Sequence, residues 1–194
     1  MDSNLAYQND FIAKRREELI DGKPSMMSPR PGWNHVAVAG NIYTIFNNYL
    51  RGKKCTPIPD GMDLYLTDKE HYMPDFMIVC APDKMKGNGV YGTPDLVVEV
   101  LSPSTARNDK THKKEVYARC GVQEYWLVDP VSKSIEIYRL SGSEFLLHDV
   151  YAVHEDWQLA QMSEEERSAV VTRFKCSLFD DLEIALEDIF YRTF

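Results

Sequence analysis

The sequence contains no long hydrophobic run. None of its apolar segments approaches the roughly 20 residues that a membrane-spanning helix needs. The first segment, MDSNLAYQNDFIAKRREELIDG, also lacks the apolar stretch of a secretory signal. We therefore expect a cytoplasmic protein with no membrane partner.

Closely spaced cysteines are missing as well. The chain has four cysteines, and no two of them form a CxxC pair: Cys55, Cys80, Cys120 and Cys176. This spacing argues against a zinc knuckle and against a disulfide framework. We expect four buried free thiols.

Internal repeats, low-complexity tracts and Ser/Gly linkers are absent, which favours a single domain. A chain of 194 residues is long enough to bury one core and short for two. Its composition, 44% hydrophobic and 27% charged, is that of an ordinary globular protein. The expected organisation is one domain over residues 1–194.

An overall excess of basic residues is also lacking, because the net charge is −8. Ten of the 30 acids but only three of the 22 bases lie between residues 155 and 188, so the rest of the chain is nearly neutral. Local basic groups usually lie on solvated faces of a protein, and we favour this explanation for the groups at 14–16 and 51–54. Nucleic acid is not excluded as a partner, because the basic residues cluster at 14–16, at 51–54 and at 107–119.

Hydrophobic periodicity predicts a short helix, a hairpin turning at Asp21-Gly22 and an amphipathic helix in PGWNHVAVAGNIYTIFNNYLRG. A second helix is expected at about 105–120, whereas LFDDLEIALEDIF near the end fits strand or helix. This order indicates an α/β (α+β mixed) domain with a mixed sheet. Strands are expected at about 55–58, 62–66, 73–80, 95–101, 124–128, 134–140 and 144–151.

The segment PDLVVEVLSPS, residues 94–104, places Glu99 inside an apolar strand. Burying an ionised carboxylate costs several kcal/mol unless a positive group meets it. We therefore expect Glu99 either to lie at the solvent-exposed end of the strand or to bind a cation. Asp95 is about 13 Å away along the strand, too far to share one metal ion with Glu99.

Asp75, in YMPDFMIVC, can supply the second ligand. An antiparallel pairing of Cys80 near Pro94 puts Asp75 opposite Glu99, about 5 Å away and within reach of one divalent cation. A slip of one residue would put the two carboxylates on opposite faces of the sheet.

The helix after Ser104 carries a lysine on its core-facing side. Asp109, Lys113, Val116 and Cys120 form one stripe at helical spacing, whereas Lys110 and Lys114 lie about 100° away from its centre and can reach water. Because helical side chains lean toward the N-terminus, Lys113 points back at the turn that follows Glu99. An inward lysine near two carboxylates indicates a candidate active site.

A purely structural interpretation of the same residues remains open. Asp75 can cap the turn after Pro74, Glu99 can be an edge residue, and Lys113 can form a simple i,i+4 pair with Asp109.

These segments resemble the putative restriction endonuclease family of the PD-(D/E)xK nuclease superfamily. The specific part runs from PDLVVEVLSPST through Asp109, Lys113 and Tyr117 to ARCGVQEYWLVDP, and MPDF, ELIDG and the SP dipeptide before His35 add weaker similarity. The resemblance implies a restriction-endonuclease-like fold, with a central mixed β-sheet flanked by helices, and a Mg²⁺-dependent phosphodiesterase site.

The resemblance assigns the two acidic motif positions to Asp75 and Glu99. The lysine expected two residues after the acid is Leu101 here, and the basic group of the family falls on Lys113 instead. Glu18 and His35 match family positions as secondary candidates. We expect His35 to be a structural histidine rather than a ligand, and Glu18 to be an outside candidate for a metal or water contact.

The function expected from the sequence is a metal-dependent endonuclease acting on nucleic acid, most simply DNA. Asp75, Glu99 and a backbone carbonyl near Val100 would hold Mg²⁺ or Mn²⁺, and Lys113 would orient the attacking water or stabilise charge on the phosphate. A homodimer is expected because two strands of a duplex need two sites. Flanking phosphates would be contacted by Arg107, Lys110 and Lys114.

Two other functions are compatible with the sequence. The first is a non-catalytic module that keeps the nuclease fold for binding or assembly. The second is a metal-dependent hydrolase acting on another phosphate ester.

Overall fold

The structure is a computed structural model that describes residues 17–26 and 30–194. The expected first helix, the basic group at 14–16 and the SP dipeptide at 28–29 lie outside these residues. The described strands and helices are, in chain order, β1 (Glu17–Ile20), β2 (Lys23–Met26), α1 (Trp33–Leu50), β3 (Thr56–Pro59), β4 (Leu64–Thr67), β5 (Glu70–Tyr72), β6 (Phe76–Val79), β7 (Met85–Lys86), β8 (Gly89–Tyr91), β9 (Leu96–Val100), α2 (Ala106–Asn108), α3 (Lys114–Cys120), β10 (Glu124–Asp129), β11 (Ser134–Ser141), β12 (Glu144–Ala152), α4 (Asp156–Gln161), α5 (Glu164–Ser168), β13 (Arg173–Lys175), β14 (Glu183–Ala185) and α6 (Leu186–Ile189).

A central mixed sheet has the strand order β12-β11-β10-β9-β6-β3. The pair β9–β10 is parallel, and α2 and α3 make the crossover between its strands, whereas the other neighbouring pairs are antiparallel. The chain can turn directly from α3 into β10 because Gly121 adopts φ 90°, which favours glycine. This is the mixed α/β architecture that the sequence predicts.

The two faces of the central sheet build two separate hydrophobic cores. Leu96, Val98 and Val100 pack on one face with the buried stripe of α1. Val97, the residue between them, packs on the other face with Tyr117 of α3. Because side chains alternate along a strand, Glu99 shares the face of Val97 and is directed toward the helix after β9.

The pairing of β6 with β9 has the register that the sequence predicts. Phe76 lies opposite Val98 and Ile78 lies opposite Leu96. Continuing the ladder by one residue brings Asp75 opposite Glu99, at the end of the sheet.

A second sheet has the strand order β2-β1-β5-β4-β8-β7. Its hairpin β1–β2 turns at Asp21 and Gly22, both with positive φ, as the Asp-Gly pair predicts. The short strands β5, β7 and β8 were not expected, because three or fewer residues are too few for a clear periodic pattern.

The expected continuous helix over 105–120 is wrong in one detail. A π-helical turn, Asp109–Lys113, separates α2 from α3. The segment near the C-terminus that fits strand or helix is both, since β14 runs directly into α6.

The expectation of four free thiols is also wrong. Cys55 and Cys80 form a disulfide, because each directly adjoins the β3–β6 pair that begins with Thr56 opposite Val79. Their separation of 25 residues hid this proximity from the sequence. Cys120 and Cys176 are free.

In the part of the chain that the structure describes, we find no helix with the length and apolarity needed to cross a bilayer.

Candidate active site

Glu99 is buried and holds a cation from its own chain. The residue is 3% exposed, so the alternative of an exposed edge residue is wrong. Oε1 accepts a hydrogen bond from the Tyr117 hydroxyl at 2.8 Å and one from Lys113 Nζ at 3.2 Å. Burial raises the pKa of Glu99 well above its usual value, and nearby carboxylates add to this against the lowering effect of Lys113.

Lys113 faces inward, as its place on the helical stripe predicts, and is 4% exposed. Its Nζ lies 2.9 Å from Glu18 Oε1, 3.2 Å from Glu99 Oε1 and 3.5 Å from Asp109 Oδ1. Burial alone lowers the pKa of Lys113, but these three carboxylates outweigh it and raise that pKa well above the usual value. Lys113 is therefore a charged ammonium at neutral pH.

Glu18 reaches this ammonium from β1, on a different sheet. It also accepts a hydrogen bond from the Met73 backbone amide at 3.3 Å. Glu18 is only a secondary candidate in the sequence analysis. Its burial follows from the alternation of side chains along the strand EELI, in which Glu17 is exposed and Glu18 is buried.

Asp75 lies at the more accessible side of the group, with its side chain 16% exposed. Its Oδ2 accepts the Val100 backbone N–H at 2.7 Å and lies 3.3 Å from His35 Nε2. Burial lowers the pKa of His35, but the hydrogen bond and charge of Asp75, together with the charge of Asp60 and the Val100 backbone, raise it above its usual value. The first turn of α1 thus brings His35 to the ends of β6 and β9.

Asp109 belongs to the same group, although the sequence analysis used it only to define the stripe. It is almost fully buried on the π-helical turn, and burial raises its pKa against the lowering effect of Lys113. Its Oδ1 lies at an ion-pair distance from Lys113 but has no hydrogen-bond partner among the described residues. The π-helical turn is a feature often found at functional sites, but it has no clear sequence signature.

The acids around Lys113 offer oxygen donors of the kind that a hard divalent cation binds. Four carboxylates converge on one ammonium and one imidazole, which leaves an excess of negative charge in a buried region. Oxygen donors are those that Mg²⁺ and Mn²⁺ prefer, although each of these carboxylates already has a basic partner in the chain: Glu18, Glu99 and Asp109 pair with Lys113, and Asp75 pairs with His35.

The predicted phosphate-binding residues lie on the outer side of the same helix. Lys110 Nζ is 2.7 Å from Glu136 Oε1, and Lys114 Nζ lies 3.7 Å from the centre of the Tyr138 ring. Arg107 is exposed. Lys110 and Lys114 are thus directed away from Lys113, as their helical positions predict.

A second group, Asp21, Glu70 and His112, was not expected from the sequence. Its ligand atoms lie within 4.8 Å of one another, a spacing that a metal ion could use. Glu70 is buried and accepts the Tyr72 hydroxyl, while His112 contacts both acids. These contacts link the β1–β2 turn, which carries Asp21, to the π-helical turn, which carries His112.

Comparisons with known proteins agree with this architecture. A solved structure described as a putative nuclease belonging to DUF820, from Anabaena variabilis, superposes with a TM-score of 0.68. The match covers 94% of this chain and 96% of that one at 18% sequence identity, so it supports the fold alone.

Two relatives from Synechocystis sp. strain PCC 6803 are described as uncharacterized proteins. The protein slr1290 is 32% identical over 127 residues, which is 64% of this chain and just under two thirds, 66%, of the relative. The protein sll1609 is 27% identical over 139 residues, or 70% of this chain and 78% of the relative.

The family model named Uma2 and described as "Putative restriction endonuclease" matches residues 6–170, well over half of the chain. The matched range includes every residue of the group around Lys113. The chain therefore belongs to the Uma2 family of putative restriction endonucleases.

Proposed function

We propose that this protein is a metal-dependent endonuclease that hydrolyses phosphodiester bonds of nucleic acid, with double-stranded DNA as the expected substrate. One observation carries the proposal: a buried ammonium, Lys113, is held against Glu99 where β9 pairs with the strand that follows Asp75. A buried cation surrounded by more acids than it can neutralise stabilises a fold poorly, which favours a functional explanation.

Asp75 and Glu99, with the backbone carbonyl of Val100, would hold Mg²⁺ or Mn²⁺. When bound, the ion would lower the pKa of a coordinated water and neutralise charge on the scissile phosphate. The hydrogen bond that the Val100 N–H donates to Asp75 Oδ2 fixes the direction of that carboxylate in advance. Tyr117 does the same for Glu99 through its hydroxyl.

Lys113 would orient the attacking water or stabilise the charge that develops on the phosphate oxygens. Its contacts with Glu18 and Asp109 come from two different elements, and each holds the ammonium in place independently of Glu99. Fixed charge of this kind needs no rearrangement during the reaction, which is the basis of electrostatic catalysis.

Substrate affinity would come from Arg107, Lys110 and Lys114 through contacts with flanking phosphates. Lys110 would exchange its pairing with Glu136 for a phosphate. A homodimer would place two sites on the two strands of a duplex.

The test is cleavage of supercoiled plasmid by the purified protein with Mg²⁺ or Mn²⁺ and with EDTA. Cleavage that needs the metal and is lost in Asp75→Asn supports the proposal. Asp95→Asn is the matched control, because Asp95 accepts a hydrogen bond from the Cys80 amide at the other end of β9. DNA binding without cleavage would favour the non-catalytic module, and activity on small phosphodiesters alone would favour a different phosphate-ester hydrolase.

A further inference from the structure

Glu70, on β5, is a buried carboxylate whose charge is met only at long distance. Among the described residues its nearest basic atoms are His112 Nε2 at 3.4 Å and Arg119 Nη2 at 3.9 Å. Charge-assisted hydrogen bonds to a carboxylate are usually about 2.7–2.9 Å long, so neither contact is a close one. The remaining side-chain donor, the Tyr72 hydroxyl, is neutral. A buried carboxylate in this position is stabilised by a further cation.

Two other potential ligands converge on Glu70 from different segments. Asp21 lies in the β1–β2 turn, and His112 lies on the π-helical turn. One ligand atom from each of the three residues lies within 4.8 Å of the other two. Adjacent ligands of a tetrahedral ion with bonds of about 2.0–2.1 Å are roughly 3.3 Å apart. The 3.4 Å between His112 Nε2 and Glu70 Oε2 already matches this spacing.

Asp21 is the ligand that can close the remaining distance. Its side chain is largely exposed, and its Oδ2 lies 3.8 Å from His112 Nδ1. One ion binds only one nitrogen of a ring, so the Asp21 carboxylate has to turn toward the nitrogen that the ion takes. An exposed side chain on a turn can change its rotamer without disturbing the core. Solvent on the same side supplies water as a fourth ligand.

The contacts that Glu70 already makes are compatible with a bound ion. The Tyr72 hydroxyl and the Asp21 backbone N–H both lie at Oε2, and hydrogen bonds of this kind orient carboxylates that bind metals. Arg119 is exposed, so its guanidinium can move into solvent when a divalent ion meets the charge of Glu70.

From this geometry we infer that Asp21, Glu70 and His112 form a second metal site, which binds Zn²⁺ and fastens the β1–β2 hairpin to the π-helical turn. The donor set of one imidazole and two carboxylates suits Zn²⁺, whereas Mg²⁺ favours oxygen donors alone. This site shares no ligand with the catalytic metal of the proposed function and goes beyond that function.

The bound ion would hold one wall of the candidate active site. Glu18 lies on β1 three residues before Asp21, and Lys113 directly follows His112. The contact between Glu18 and Lys113, at 2.9 Å, therefore joins the same two segments that the ion joins. Because the three ligands come together only in the folded chain, binding of the ion also stabilises the folded state.

Isothermal titration with ZnCl₂ tests the site in wild type, Asp21→Asn, His112→Ala and His71→Ala. We expect the first two variants to weaken Zn²⁺ binding about tenfold or more and His71→Ala to leave it unchanged. Asp21→Asn preserves the fold, since the side chain is exposed and asparagine tolerates the φ of 50° found there. His71 is the matched control because it pairs with Asp63 at 3.1 Å, is similarly half-buried and belongs to no three-ligand group among the described residues.

The same titration in Asp75→Asn separates this site from the proposed catalytic metal. Asp75→Asn should keep the Zn²⁺ site, because Asp75 is not one of its ligands.

Hydrogen–deuterium exchange measures whether the ion fastens the two segments. In wild type, Zn²⁺ should slow exchange of the amides of residues 18–26 and 109–113 about tenfold or more, and in His112→Ala it should not.

Three results would overturn the inference. Zn²⁺ binding that is unchanged in both Asp21→Asn and His112→Ala, or wild type that binds no Zn²⁺, removes the site. Binding that is lost in Asp75→Asn places the ion at the proposed catalytic centre instead. Binding without slower exchange refutes the fastening of the hairpin. Plasmid cleavage does not enter this test, since binding is measured without substrate, so a failure of the proposed function would be recognised separately.

Discussion

Replacing Lys113 by Met tests the central feature of the site. The change keeps most of the side-chain length but removes an ammonium that lies 2.9, 3.2 and 3.5 Å from three carboxylate oxygens. Lys114→Met is the matched control, because this neighbouring lysine is half-buried and contacts the Tyr138 ring instead.

The structure gives the magnitude of the effect on stability. Each contact at about 3 Å is worth roughly 5 kcal/mol at an effective dielectric constant of about 20. Desolvation of the ammonium and repulsion among the acids offset most of that sum. Removing one partner of a buried ion pair costs about 3–5 kcal/mol, and we expect Lys113→Met to lower the free energy of unfolding by this amount.

The loss should depend on pH in a definite direction. Burial and neighbouring acids already raise the pKa values of Glu99 and Asp109, and removal of Lys113 raises them further. An acid whose folded pKa is raised contributes stability below its unfolded pKa and loses it as the pH rises through the folded pKa. The difference in free energy of unfolding between wild type and Lys113→Met should therefore narrow as the pH falls and these acids become protonated.

Urea unfolding followed by tryptophan fluorescence measures stability, and plasmid cleavage by folded protein with saturating metal measures activity. Lys113→Met should lose about 10²-fold or more in rate, whereas Lys114→Met should mainly weaken substrate binding. Equal and modest losses of rate in both variants would refute a role of Lys113 in catalysis, and a stability difference that does not change with pH would refute the argument that Lys113 offsets the charge of the surrounding acids.

Three further predictions concern the same site. Glu99→Gln should lower the cleavage rate at least about 10²-fold, and it should cost less stability than Lys113→Met because Glu18 and Asp109 still pair with Lys113; unchanged turnover would remove Glu99 from the site. Tyr117→Phe should cost about 1 kcal/mol of stability in urea unfolding, since it deletes the hydroxyl that binds Glu99, and an unchanged midpoint would contradict that bond. DNA affinity should fall steeply between low and moderate salt, and Arg107→Ala should reduce the slope of that dependence in a fluorescence-anisotropy titration; a flat salt response would indicate another ligand.

Local sequence patterns were compatible with the register that places Asp75 opposite Glu99, but they did not determine it. All five residues of β9 are buried, so the apolar pattern alone also allows a slip of one residue, and the tertiary structure decided between the two pairings. The inward direction of Lys113, by contrast, followed from helical spacing. Periodicity works here because strand and helix geometry fix side-chain direction over a few residues.

The same patterns could not show the disulfide or the π-helical turn. Cys55 and Cys80 approach only because β3 and β6 pair, and nothing in the sequence near either cysteine encodes that pairing. The π-helical turn depends on what the helix packs against, and Asp109 and Lys113 are compatible with an ordinary helix as well.

Sequence alone therefore determined the mixed α/β class and the inward direction of Lys113, since periodicity within single strands and helices carries both, and the family resemblance implied Asp75 and Glu99 as the acids of the site. Tertiary structure decided which further groups surround that lysine. Glu18 arrives from a second sheet and His35 from the first turn of α1, and segments so distant in sequence meet only when the two cores form. The balance of charge at the site depends on this tertiary arrangement, because Coulomb interactions depend on distance in space and not on separation along the chain.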